Sequence, residues 1–292
     1  METLSISLAE IRDRREHNYR RTPQRRIGTV EEARHFVGKV GFCHLWPIKG
    51  IETPNLFHAI AGRDRPVPRT HHDPDLSRSW SWKDAALGQR WWYYGKLLRR
   101  RATFVSLDQL PFFYAASENF GDLMDYQVEY EDGLLSLEAR DIYEALLEHG
   151  PLDTIRLRRE ARLSADSAKY RFDRALAELQ VGLKVLPIGV AETGAWHYAF
   201  IYEILQRHFP DVPEQARTID RSEAQRALVR QYLDNVVAAE RSMVRKVFHV
   251  MRWLPSELEE AIEALIQEEV LREGDVAGAP GPLLVSVAAW AS

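Results

Sequence analysis

The side chains best placed to do chemistry in this chain are arginines and hydroxyl groups at helical spacing. Ser167, Tyr170, Arg171 and Arg174 fall at i, i+3, i+4 and i+7. At 100° per residue this gathers them on one side of a helix, opposite an apolar stripe of Ala168, Phe172, Ala175, Leu176 and Leu179. Guanidinium groups neutralise phosphates, and hydroxyls beside them reach base edges, so the row reads as a surface for nucleic acid, with Lys169 adding a cation. Arg156, Arg158, Arg159 and Arg162 crowd the segment just before it, and further arginines fill residues 12–26, Arg25 and Arg26 among them, and 99–101. Acids dominate residues 123–131 and 257–269, so a chain of net charge −4 can still present one basic face. For any single run the competing reading is a solvated helix face.

Trp91, Trp92, Tyr93 and Tyr94 precede a basic stretch, and are either core or a surface on which bases stack beside arginines. His71, His72, Asp73 and Asp75 lack the spacing of paired histidine ligands, so no metal and no cofactor is expected. The one cysteine, Cys43, excludes an internal disulfide or a thiolate zinc cage and reads as a small core residue.

The elements that must position these groups follow from patterning. With 292 residues, 45% of them hydrophobic, the chain has material for two or three modules. No run of eighteen apolar residues occurs and the first residues lack signal-peptide order, so a cytoplasmic, nucleoid-associated protein without a membrane partner is expected. Ser7 with Glu10 and Thr29 with Glu32 are capping boxes and start two helices. Residues 42–60 are neither clearly helix nor strand, and 63–82 read as a long surface loop.

Leu135, Ala139, Ile142 and Leu146 make a helix that stops at Gly150 and Pro151. A short basic helix follows, then a third helix capped by Ser164, then a hairpin of residues 182–188 and 196–201 turning through 191–195. Three helices and a hairpin are the winged-helix order, which places one helix in the major groove or serves as a protein spacer. A second copy follows residues 210–213, with capping boxes at Ser222 and Ser256, a middle helix over 241–250 and a wing over 274–290. The outer face of its last helix, Glu257, Glu260, Glu263 and Gln267, would repel phosphate, so this module reads as a packing element. The fold expected is mainly α with small β wings in tandem winged-helix-turn-helix modules. The division expected is an N-terminal winged-helix-like region over 1–134 that carries the candidate active-site block and the aromatic and basic segment, a central winged helix over 135–210 and a C-terminal winged-helix-like module over 211–292.

One block carries a resemblance. Thr29-Val-Glu-Glu-Ala33 is followed by Val40-Gly-Phe-Cys-His-Leu-Trp-Pro-Ile48, then Ile51-Glu-Thr-Pro-Asn-Leu-Phe-His58, then Arg63. It resembles the signature of the winged-helix DNA glycosylases typified by YcaQ and AlkZ, in which Gln-x-Asp or Gln-x-Gln precedes a basic stretch ending in Ser-Arg. The aromatic block, the central module and the C-terminal module fall in the same order. The resemblance implies tandem winged helices around a DNA channel and excision of alkylated bases from double-stranded DNA, with cross-link unhooking in some relatives. His44 and Trp46 stand where the family pattern has Gln and Asp or Gln. By that correspondence His44 would position the attacking water, Trp46 would fill the lesion site and Glu52 would supply negative charge. The alternative is a DNA-binding protein without catalysis, either a lesion binder or a transcription regulator.

Overall fold

The computed structural model describes residues 3–70, 72–117, 119, 121–193 and 197–291. Strand β1 (Thr3–Ser7) and helix α1 (Leu8–Asn18) lead into a set α2 (Val30–Val40), β2 (Phe42–His44), α3 (Leu56–Ala61), α4 (Pro74–Leu87), β3 (Trp92–Lys96) and β4 (Ala102–Ser106). Helices α5 (Leu110–Ala115) and α6 (Asp125–Glu131) connect it to a second set. This comprises α7 (Leu137–His149), β5 (Leu152–Asp153), α8 (Thr154–Glu160), α9 (Lys169–Val181), β6 (Val185–Ala191) and β7 (Ala199–Ile204). After α10 (Leu205–His208) and α11 (Asp211–Ala216) comes a third: α12 (Arg221–Val236), β8 (Ala238–Ala239), α13 (Arg241–Phe248), α14 (Pro255–Gln267), β9 (Leu271–Ala277) and β10 (Leu283–Ser286), ending in α15 (Val287–Ala291).

The protein is thus mainly helical with three small sheets, and one plan recurs three times: helix, short strand, two helices, two strands. In every copy the strands pair antiparallel with the last strand central: β2-β4-β3, β5-β7-β6 and β8-β10-β9. Short sheets of this kind bury one face, and the helices of each set supply the cover.

Local signals account for most of these elements. Thr29 and Glu32 bond reciprocally to each other's backbone at the start of α2. Ala33, Phe36, Val37 and Val40 of α2 turn inward at i, i+3, i+4 and i+7. Gly41 ends the helix at φ +74°, where an added Cβ would stand 2.9 Å from the Cγ atoms of both Gln109 and Gln231. Ser136 caps α7 and Gly150 ends it at φ +72°.

Several expectations need correction. Residues 63–82 are not all loop: Asp73 caps α4 and Pro74 takes its first turn, a start signal that the surrounding prolines and serines obscured. Ser164 does not cap α9, which begins after a 3-10 turn at Asp166–Ala168. Ser222 lies inside α12, whose N-cap is Asp220, and α14 starts at Pro255, ahead of Ser256. The expected wing turn falls partly on residues 194–196, and His71 of the histidine pair is likewise outside the described residues.

The first and third units share a core. The Phe42 ring meets Phe113 edge-on at 5.3 Å and Phe248 at 6.3 Å, beside Tyr232 and Leu233. The second unit has its own core around Ile142, Leu146, Phe172 and Tyr202. Strand β1 pairs parallel with β9, and Leu4, Ile6 and Ile11 pack on Val276 and Val285, so the first residues of the chain complete its last unit. Among the described residues, no helix is long and apolar enough to cross a membrane.

Candidate functional site

Helix α4 builds the most unusual constellation. At its start the Asp73 carboxylate accepts the backbone N–H groups of Asp75 and Leu76 at 3.1 and 3.0 Å. Arg65 grips the same carboxylate with two bonds of 2.9 and 2.6 Å, and these hold its pKa down to about 2. The helix so anchored presents Trp80, Lys83 and Asp84 at i, i+3 and i+4 on one face.

That face meets β7 and the residues leading into it. Lys83 is completely buried, with Nζ 2.8 Å from the Tyr198 hydroxyl and 2.8 Å from Asp84 Oδ1. The Tyr198 hydroxyl donates to the same Asp84 oxygen at 2.9 Å. The ammonium lies 3.9 Å from the Trp80 ring centroid and 4.6 Å from that of Phe200. Burial lowers the Lys83 pKa, and the bond and charge of Asp84 oppose it. Burial also raises the Tyr198 phenol, with Asp84 adding to the shift, so its hydroxyl stays protonated.

Outside Lys83, Trp80 remains 45% exposed and lies nearly parallel to Trp46, at 6.4 Å and 23°. Trp46 is pinned edge-on by Phe57 at 5.7 Å. The Asp84 side chain keeps 23% exposure, so a carboxylate steadied by two donors opens beside an indole pair. Such a group can accept a proton from water, and the rings can take a flat base.

The three residues assigned by resemblance do not come together. His44 ends β2 and is 1% exposed, its Nδ1 2.9 Å from Thr53 Oγ1 and its Nε2 3.4 Å from the Leu98 carbonyl. Burial pushes its pKa down to about 4, so the ring is neutral near pH 7 and is shut away from the surface. The strand stops at His44, and the bend after it sends Trp46 to the Trp80 ring. Glu52 lies elsewhere, 3.6 Å from Arg15 in a cleft of about 260 Å³ shared with Glu16, Arg21 and Asp64.

The basic residues divide similarly. Arg156 and Arg159 on α8 are exposed, as are Ser167, Lys169, Tyr170, Arg171 and Arg174 along α9, with Arg171 3.0 Å from Glu138. Arg158 is turned inward instead, donating to the carbonyls of Leu163 and Ala165 at 3.1 and 3.0 Å and closing the turn between the helices. Arg25 and Arg63 are exposed, and Arg26 packs against Gly62, next to Arg63. Of the aromatic block, Trp92, Tyr93 and Tyr94 are core and only Trp91 is partly open. Among the described residues no cluster of His, Cys, Asp and Glu could hold a metal ion.

Sequence reasoning missed Trp80, Lys83, Asp84 and Tyr198. The Asp73-Pro74 helix start was the available local signal. The contact between Lys83 and Tyr198 spans 115 residues and has none.

A comparison with curated proteins finds no match. Among solved structures, the fold is similar to the Streptomyces sahachiroi DNA glycosylase AlkZ, at 14% sequence identity and a TM-score of 0.54, covering 94% of this chain and 70% of that one. The family model described as AlkZ related matches residues 27–249, most of the sequence, and the chain therefore belongs to the AlkZ-related family.

Proposed function

We propose that this protein is a cytoplasmic DNA-repair glycosylase of the alkylation type, in which Asp84 takes the water-handling role that the resemblance assigned to His44. The carrying observation is the Asp84 carboxylate, held by Lys83 and Tyr198 and open beside the Trp46–Trp80 pair. The three repeated units are read as winged helices, with the exposed face of α9 gripping the duplex.

In this reading a damaged nucleotide turns out of the duplex and its base stacks on Trp80 and Trp46. Asp84 orients a water and takes its proton while the water oxygen bonds to C1′ of the sugar. The C1′–N bond breaks, and an alkylated purine that was cationic leaves neutral. Lys83 and Tyr198 keep the carboxylate in one orientation and touch no reacting atom.

The test is incubation with DNA containing N7-methylguanine, followed by hot alkali to cleave abasic sites. Wild type should generate strand breaks, and Asp84→Asn should lower the rate by about a hundredfold to ten-thousandfold. A second reading is a lesion binder without chemistry, since both donors that steady Asp84, Lys83 and Tyr198, bond the same oxygen of its carboxylate. Binding of damaged duplex with no alkali-labile product would select it, and preference for one undamaged sequence would select a regulator.

A further inference from the structure

A cleft of about 300 Å³ opens where the three units meet, lined by Arg100, Arg174 and Arg252 together with Leu134, Ser136 and Glu178. Each arginine comes from a different unit: Arg100 from the hairpin tip between β3 and β4, Arg174 from α9, and Arg252 from the link between α13 and α14. All three are exposed. The guanidinium groups of Arg100 and Arg174 make no hydrogen bond or ion pair with the described residues, and Arg252 Nη2 donates to the Leu134 carbonyl at 2.7 Å. The one carboxylate present, Glu178, is already engaged by the backbone N–H and hydroxyl of Ser136, both at 2.8 Å. Arg100 and Arg174 therefore bring two cations to a cleft whose carboxylate is already hydrogen-bonded by Ser136.

Two of the three cleft arginines have left-handed backbone, as do Arg20, Arg90 and Arg162 elsewhere. Arg99 and Arg100 occupy the centre of the turn Leu98–Arg101, closed by the Arg101 N–H donating to the Leu98 carbonyl at 3.0 Å. Their φ angles are +56° and +54°, and Arg252 stands at +55°. Hairpin turns with two left-handed residues favour Asn-Gly, and Cβ-bearing residues pay for that conformation in backbone energy.

We propose that this cleft is a phosphodiester clamp, fixing a nucleic-acid backbone where it passes from α9 to the third unit. Guanidinium forks match phosphate oxygens in pairs, and an open, shallow site suits a repeating backbone anion. The clamp extends the exposed row of α9, whose last member is Arg174, and it gives the third unit a DNA contact despite the acidic face of α14. It rests on the proposed action on DNA.

The test measures anisotropy of an end-labelled duplex of about twenty base pairs, titrated with the full chain between about 50 and 200 mM salt. The Arg100→Ala/Arg174→Ala double variant should bind about tenfold or more weakly, with the log–log salt slope shallower by about one to two. Arg252→Ala should shift both in the same direction. Arg100→Lys/Arg174→Lys should keep most of the slope, which a merely structural role would not require. Arg217→Ala, whose side chain pairs with Glu214 at 2.7 Å, is the control and should match wild type. If wild type binds duplex and the double variant matches it in affinity and slope, the clamp is wrong and the DNA reading survives. If wild type binds no duplex at low salt, both fall. If inorganic phosphate stabilises wild type against thermal unfolding but not the double variant, and duplex does not bind, the site takes a free anion and the backbone assignment is overturned.

Discussion

Removing Asp84 should cost far more stability than removing Lys83, although the two form one ion pair. Asp84→Ala leaves a fully buried ammonium among Trp80, Tyr94, Tyr198 and Phe200, with a phenol oxygen as its remaining polar partner. Breaking a buried pair in this way typically costs about 3–5 kcal/mol. Because the Asp84 side chain is 23% exposed, part of the pair energy is already screened, and a loss of about 2–3 kcal/mol is expected. Lys83→Met instead puts an apolar stem of similar length against the same rings and leaves a carboxylate that can hydrate, so the change should stay within about 1 kcal/mol. The double variant, with neither charge, should be more stable than Asp84→Ala alone, giving the cycle a large coupling term. Urea midpoints at unchanged m-values measure all four proteins. Equal losses from the two single variants, or a double variant no better than Asp84→Ala, would refute the claim that this lysine is desolvated and held by Asp84.

His44 and His208 both have folded-state pKa values pushed down to about 4 by burial, below the usual 6.5. The unfolded chain therefore binds more protons between those limits. Their stabilisation is complete above about pH 6.5 and is lost as pH falls toward 4, with His44 contributing on the order of 3 kcal/mol. His44→Gln should flatten that part of the pH–stability curve while leaving any base excision within about tenfold of wild type, and a hundredfold loss of excision in a folded variant would return catalysis to His44. Arg241 bonds Glu259, Glu263 and Glu273 at 2.7 Å each. Arg241→Ala leaves three carboxylates facing one another and should destabilise the third unit by about 1–3 kcal/mol, visible as loss of hydrogen-exchange protection in β9 and α14.

Much of this protein is legible in its residues taken one segment at a time. Helix α2 could be read from a capping box, an apolar stripe and a glycine stop, because each of those signals acts within a few residues. The outward row of α9 was readable for the same reason, since helical period alone decides which side chains share a face. Family membership was legible too, carried by the block from Thr29 to Arg63, although the residues in it did not keep the places the pattern suggested.

What the sequence alone left undecided was which distant segments meet. Strand β1 joins a sheet whose other members lie more than 230 residues later, through backbone bonds that any residue types could make. Arg158 looks identical to Arg156 and Arg159 until the turn after α8 brings three carbonyls within its reach. His44 was expected at a working surface, yet its buried ring is taken by Thr53 and by the Leu98 carbonyl in the turn between β3 and β4. The Lys83–Asp84–Tyr198 cluster and the three-arginine cleft exist only because separate units pack together. Local periodicity fixes a side chain's direction relative to its own helix or strand, and burial, partners and charge environment are set by whatever that direction meets in the folded chain.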